Sequence, residues 1–397
     1  MPQISQRGSE MPSSPIRKLS PLANEAKKQG VKVYHLNIGQ PDLPTPQQAL
    51  DALGRIDRKT LEYSPSEGYP FLRDKLVKYY AKFGIDITPA EIIVTTGGSE
   101  ALLFSFMACM DPGDEMIMVE PGYANYISFA RTAGIKVKTV TSRIEDGFAL
   151  PSMEAFEKAI TPRTKAILLC NPNNPTGYVY SPAELQTLKE LVIKYNLFLI
   201  ADEVYREFVY SGQPYQSAMT LGIPDNVILV DSVSKRYSEC GIRIGMLVTH
   251  NKLVHDTVMK YCQARLSPPL LGQIVAEASI EGTEAYAKEC FDEYKARRDF
   301  FIKGLNEIPG VYSPKPEGAF YTVVELPVAD AEDFCRWCLT DFRLNGETVM
   351  MAPAAGFYSN PELGKNQVRM AYVLKIEDLA KALEVLKAAL IKYQELH

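Results

Sequence analysis

The chain has 397 residues, 46% of them hydrophobic, with 48 acidic against 43 basic residues for a net charge of −5. That composition supports a core too large for one small domain, and it offers none of the Lys and Arg surplus that a nucleic-acid surface leaves. Seven cysteines, odd in number and scattered, read as reduced thiols and not as a disulfide framework.

In chain order, the polar start MPQISQRGSEMPSSP lacks the apolar segment of a signal peptide. No apolar run approaches the ~20 residues that span a bilayer, so the cytoplasm is the expected location. Residues 1 to about 30 read as an arm leading into a short helix from Pro21 to Gln29. Val33 to Gly39 is strand-like and ends in the turn Gly39-Gln40-Pro41-Asp42. Strand-like runs follow at Glu91–Thr96, Glu115–Val119, Lys136–Val140, Ala166–Cys170, Leu197–Ala201, Val227–Val230 and Ile244–Val248. Helix-length amphipathic segments lie between many of them. Ala183–Tyr195 is one, opened by Ser181 as cap and Pro182 in the first turn. Alternating short strands and helices predict an α/β fold, a mostly parallel sheet of seven strands between helices, plus a smaller α+β domain. The expected division is 1–48 as arm and part of the small domain, 49–285 as the large domain and 286–397 as the C-terminal small domain. The latter includes helices at Glu284–Leu305 and Ile376–Tyr393. Cys335 and Cys338 form a C-x-x-C pair within an amphipathic helical pattern and read as core thiols. His35, His250, His255 and His397 have no metal-ligand spacing, so no metal is expected.

Polar residues concentrate where apolar strands end, the edge at which ligands collect in open α/β sheets. Ile228-Leu229-Val230 runs into Asp231-Ser232-Val233-Ser234-Lys235, with Gly241 and Arg243 six and eight residues beyond the lysine. A lysine at a desolvated strand end becomes a nucleophilic amine. Hydroxyl and guanidinium donors beside it suit a phosphate-bearing aldehyde, whereas an ion-paired loop lysine is the plainer alternative. Leu197–Ala201 runs into Asp202-Glu203-Val204-Tyr205; the aspartate is a candidate partner for a protonated ring nitrogen, or a helix cap. Ala166–Cys170 leads to Asn171-Pro172-Asn173-Asn174-Pro175-Thr176-Gly177, a stiff turn rich in neutral hydrogen-bonding groups. Ile92–Thr96 leads to Gly97-Gly98-Ser99-Glu100, glycines entering a helix as a backbone phosphate cradle. It does not match the triphosphate-binding pattern G-x-x-x-x-G-K-[ST].

With these motifs at four strand ends, the chain resembles the aspartate-aminotransferase family, the class I/II group of fold-type I pyridoxal-phosphate enzymes. The resemblance runs from about Leu36 to Ala371. It implies pyridoxal 5'-phosphate held covalently on Lys235, with Asp202 at the ring nitrogen and Tyr205 and Asn174 at the ring oxygen. Gly98, Ser99, Glu100, Ser232, Ser234 and Arg243 would surround the phosphate, and Tyr123 would stack on the ring. Tyr63 would reach the phosphate in a neighbouring subunit, which implies a homodimer with shared sites. Arg369, with Gly39, would hold the substrate's α-carboxylate, and the stretch Gly318-Ala319-Phe320-Tyr321 matches the family's small domain. The implied activity is transfer of an amino group from an amino acid, aspartate or another, to a 2-oxo acid such as 2-oxoglutarate. A β-lyase cleaving C–S bonds on the same scaffold is the alternative.

The chain departs from the family where an acidic substrate's second carboxylate would bind. One branch supplies an arginine from the neighbouring subunit, and the matching place holds Cys262. Another places a lysine after the double glycine, and here that is Ser99. Arg265, three residues from the first position, is the remaining candidate.

Overall fold

A computed structural model describes residues 2–396, which leaves His397 outside the described residues. Seven strands form the main sheet: Ile92–Thr95, Glu115–Glu120, Lys136–Thr141, Thr164–Cys170, Phe198–Asp202, Val227–Ser232 and Gly245–Val248. Across the sheet they run Ile92–Thr95, Gly245–Val248, Val227–Ser232, Phe198–Asp202, Thr164–Cys170, Glu115–Glu120, Lys136–Thr141. Gly245–Val248 is antiparallel to both neighbours and every other pairing is parallel. Ile92–Thr95, two reversals from Val227–Ser232, therefore points the same way as the parallel strands. The carboxyl ends Thr95, Glu120, Cys170, Asp202 and Ser232 share one edge.

The near-continuous apolar runs follow from burial on both faces. Ile93, Met116, Met118, Leu168, Ile200, Ile228, Val230 and Leu247 belong to one core. The alternate residues Val94, Ile117, Leu169, Leu199, Leu229 and Met246 belong to the other. Successive strand side chains point to opposite faces, so helices must cover both. Gly97–Cys109, Asn125–Ala133 and Lys252–Arg265 pack on the first side, and Pro70–Ala81, Pro182–Tyr195 and Leu270–Ile280 on the second. Pro182–Tyr195 shows how such a helix is specified. Ser181 Oγ accepts from the Glu184 amide at 3.3 Å while the Glu184 carboxylate accepts from the Ser181 amide at 2.7 Å. Leu185, Leu188, Leu191 and Val192 form the buried stripe, and Asn196 in the left-handed region ends it. Replacing Ser181 with Ala would cost about 1 kcal/mol.

Beyond residue 306, strand Tyr321–Glu325 pairs antiparallel with Gln367–Ala371, which also pairs with Ala352–Pro353. Lys32–His35 pairs parallel with Glu347–Met350, so the N-terminal segment is tied to the C-terminal part of the chain. The strand expected over Val33–Gly39 stops at His35, although the Leu36 amide still donates to the Met350 carbonyl oxygen at 2.9 Å. Cys335 and Cys338 are free and buried in helix Ala331–Thr340, as the pattern indicated.

Candidate active site

At the shared strand edge, Thr96 carries the chain from strand Ile92–Thr95 into helix Gly97–Cys109. Gly97 has a φ of +73°, and a Cβ there would lie 2.4 Å from Arg243 Nη2. Opposite, a Cβ on Gly245 would come within 2.3 Å of the Gly97 carbonyl carbon and 2.5 Å of the Gly98 nitrogen. The glycines are required by this close approach. It leaves the first amides of a 13-residue helix, with their positive dipole end, facing a cavity. Ser232 ends its strand and caps the short helix Val233–Arg236, its Oγ accepting from the Ser234 amide at 3.1 Å and lying 2.8 Å from Ser234 Oγ. Arg243, itself left-handed with a φ of 58°, donates to the Cys240 carbonyl oxygen at 2.9 Å. Gly98, Ser99, Ser232, Ser234 and Arg243 line one cavity of about 560 Å³. Its walls also include Gly39, Tyr123, Asn174, Asp202, Tyr205, Lys235 and Arg369. A larger cavity of about 1160 Å³ lies between Ser5–Glu10 and edge strand Lys136–Thr141, away from every strand-end motif.

Asp202 is the last residue of its strand and is buried. Tyr126 Oη donates to its Oδ2 at 2.7 Å and the Val204 amide to its Oδ1 at 3.3 Å. Burial raises the carboxyl to about 6, against the opposing effect of those two hydrogen bonds. A cation brought to it would relieve that desolvation. Lys235 Nζ donates to the Gly39 carbonyl oxygen at 2.9 Å. Tyr205 Oη sits 3.1 Å from Tyr321 Oη and accepts from Asn174 Nδ2 at 3.4 Å. Tyr321 Oη donates in turn to the Gly39 oxygen at 3.2 Å. Burial drives the Tyr205 phenol well above its usual range, so it stays a donor.

Arg369 lies mid-strand in Gln367–Ala371, only 1% exposed. Its Nη1 donates to Asn174 Oδ1 at 3.1 Å and its Nη2 to the Asn37 carbonyl oxygen, while Nε has no partner. The guanidinium stacks 4.6 Å from the Tyr321 ring centroid. No carboxylate pairs with it among the described residues, and burial pulls it below its ordinary value. A buried guanidinium held by neutral oxygens and facing a cavity is arranged to receive an anion.

Three expected residues do not line the cavity of their own chain. The Glu100 side chain turns away from the cavity, accepting from the Thr96 amide at 2.7 Å and from Arg265 Nη1 at 3.0 Å. Its contribution to an anion site is thus limited to the helix backbone. Arg265 also donates to the Ser66 carbonyl oxygen at 2.9 Å, so within its own chain it is committed to that contact and does not line the cavity. Tyr63 is 76% exposed and does not line the cavity of its own chain; the site it is expected to reach is the neighbouring subunit's. Conversely, sequence reasoning missed Tyr126, Asn37 and the arm residues Ser14, Ile16 and Arg17, which also line or support the cavity. Tyr126 had a weak signal, three residues after Tyr123 at helical spacing.

These residues fit pyridoxal phosphate. The glycine cradle and Arg243 suit its phosphate, the desolvated Asp202 its protonated ring nitrogen and Lys235 its aldehyde. The comparisons agree. The sequence profile described as "Aminotransferase class I and II" matches residues 31–386. The aspartate/prephenate aminotransferase of Thermus thermophilus is 32% identical over 387 residues, covering 96% of this chain and 97% of that protein. The structure of aspartate aminotransferase from Thermus thermophilus with maleate superposes with a TM-score of 0.89 at 31% identity, covering 98% and 100%. An alanine aminotransferase from Pyrococcus furiosus gives 0.90 at 32% identity, covering 98% and 100%. All three carry aminotransferase names, and none supports the C–S lyase alternative. The chain belongs to the class I and II aminotransferases, which depend on pyridoxal phosphate.

Proposed function

We propose that the chain works as a homodimer that moves the amino group of an L-amino acid, aspartate among the candidate donors, to a 2-oxo acid such as 2-oxoglutarate. When bound, pyridoxal phosphate supplies an aldehyde that joins the substrate amine and a ring that stores an electron pair. Lys235 Nζ carries the proton that leaves the substrate α-carbon. Asp202 holds the ring-nitrogen proton, with Tyr126 and the Val204 amide fixing the carboxylate. Tyr205 and Asn174 would hold the ring through its oxygen, and Tyr123, which lines the same cavity, would pack against it. Arg369 grips the α-carboxylate with a planar two-pronged donor, aligned by Asn174 and Asn37.

One observation carries this reading: a single cavity gathers an amine held only by the Gly39 carbonyl oxygen, a buried carboxylate with no ion-paired cation and a buried guanidinium without an anion. The dimer is supported by apolar side chains left in water. Leu61, Tyr63, Leu266 and Leu271 are all exposed. Ser64 Oγ to the Pro268 oxygen at 3.2 Å and Ser66 Oγ to the Leu266 oxygen at 2.8 Å join their two segments. The domain boundaries near residues 48 and 285 belong to the same proposal. So does a cytoplasmic location, supported by seven free cysteines. The test is a half-reaction screen of twenty amino acids against the cofactor-loaded protein, with 2-oxo acid products quantified and absorbance followed. Conversion of bound pyridoxal phosphate to its amine form supports the reading. Release of pyruvate and sulfide from cysteine without that conversion refutes it.

A further inference from the structure

We propose that Arg17, in the N-terminal arm, is the cation that selects dicarboxylate substrates by pairing with their second carboxylate. This deepens the aminotransferase reading and rests on it. Five charged side chains line the cavity: Arg17, Asp202, Lys235, Arg243 and Arg369. Four have work in that reading, at the ring nitrogen, the aldehyde, the phosphate and the α-carboxylate. Arg17 is the surplus positive charge. Its guanidinium has no hydrogen-bond or ion-pair partner among the described residues, whereas the adjacent Lys18 is paired with Glu332. An unpaired cation in the wall of a substrate cavity calls for an anion brought in from outside.

The arm is not free to swing. Asn37 Nδ2 donates to the Ile16 carbonyl oxygen at 2.9 Å, and the Asn37 carbonyl oxygen accepts from Arg369 Nη2. One asparagine therefore ties the backbone beside Arg17 to the guanidinium that holds the α-carboxylate. Pro15 packs so closely on Gly356 that a Cβ there would lie 2.7 Å from Pro15 Cβ, and Ile16 packs against the core containing Phe357 and Tyr358. Arg17 and Arg369 line the same cavity as Tyr123, and while burial raises the Tyr123 phenol, the charges of both cations oppose that rise. The distal positions suggested by the sequence do not compete within the chain: Ser99 is neutral, Cys262 is buried in helix Lys252–Arg265, and Arg265 is bound to Glu100.

Wild type, Arg17→Gln and Arg17→Lys are loaded with pyridoxal phosphate and reacted in single turnovers with glutamate, aspartate, alanine and methionine. Succinate and butyrate are titrated separately by their effect on cofactor absorbance. Arg17 is solvent-exposed, so the expected effect lies between the exposed and buried limits for a charge pair. The glutamate-to-alanine ratio of kcat/KM should fall about tenfold to a hundredfold in Arg17→Gln. Succinate should bind about tenfold more weakly, and Arg17→Lys should recover most of both losses. A ratio within about twofold of wild type, or an equal fall for all four donors, overturns the inference. Wild type that converts alanine but neither dicarboxylate overturns it while the aminotransferase reading stands. Wild type that converts no amino acid sinks that reading, and the succinate-to-butyrate preference then still decides whether Arg17 binds a second carboxylate.

Discussion

Replacing Asp202 with Asn should stabilise the cofactor-free protein and cripple the enzyme. The carboxyl is buried without a cation and is pushed from the ordinary 3.8 to about 6. Between those values the folded state keeps a proton that the unfolded chain has released, so stability falls as pH rises through that window and levels off above it. The full displacement corresponds to ~3 kcal/mol at pH 8 and about half of that at pH 5. Asparagine removes this penalty and keeps both hydrogen bonds. Its oxygen can face the Val204 amide while its NH₂ donates to Tyr126, whose hydroxyl turns to accept. Urea unfolding of stripped wild type and Asp202→Asn, at pH 5 and pH 8, should show the variant ahead by about 2–3 kcal/mol at pH 8, with the lead shrinking towards pH 5. Loaded with cofactor, the variant should turn over about a hundredfold more slowly, the loss of one strong electrostatic partner in the transition state. No stability gain at pH 8, or a gain independent of pH, refutes the argument that desolvation holds this carboxyl up. Turnover equal to wild type refutes its role at the ring nitrogen.

Arg369→Ala should lower kcat/KM for every amino donor, by roughly 2–5 kcal/mol or about 30- to 5,000-fold, because all donors share the α-carboxylate. Arg369→Lys should recover little, since an ammonium lacks the planar fork, and steady-state kinetics on four donors reads both. Asp231→Asn should destabilise the protein by about 3–5 kcal/mol in urea, because Asp231 is buried with Arg236 at 2.8 Å and Arg206 at 3.3 Å. A midpoint near wild type would contradict the burial of that network. For the homodimer, mixing inactive Lys235→Ala with a Tyr63→Phe protein of reduced activity should regenerate sites with all intact parts. No recovery despite demonstrated subunit exchange would place each site within one chain.

The fold was legible because two-faced burial leaves a strong mark. Thr164–Cys170 and Val227–Ser232 are almost wholly apolar up to their ends, and helix Pro182–Tyr195 announces itself by cap, proline and stripe. All seven strands of the main sheet fall within a few residues of their expected positions. Their order across the sheet was not legible, since pairing depends on contacts distant in sequence. Neither was the antiparallel insertion of Gly245–Val248, although that insertion brings Gly245 against Gly97 at the start of helix Gly97–Cys109.

The site divides along the same line. Lys235, Asp202 and Asn174 stood out because each lies at or just beyond the end of a strand, where polarity contrasts with the apolar run before it. Tyr126, Asn37 and Arg17 carried no such contrast. They matter through partners 76, 332 and, by way of Ile16, 21 residues away in the chain. Arg265 shows the opposite case within its own chain. Its place near the expected distal cation made it a candidate, but helix Lys252–Arg265 delivers it to Glu100 and Ser66. A charge next to a site in sequence is consumed whenever a carboxylate lies closer in space. Arg17 has no such carboxylate, and its arm is tied through Asn37 to Arg369. The residues that set the chemistry sit on strand ends and can be read from local pattern. Those that choose among substrates sit on segments whose position is decided by the finished fold.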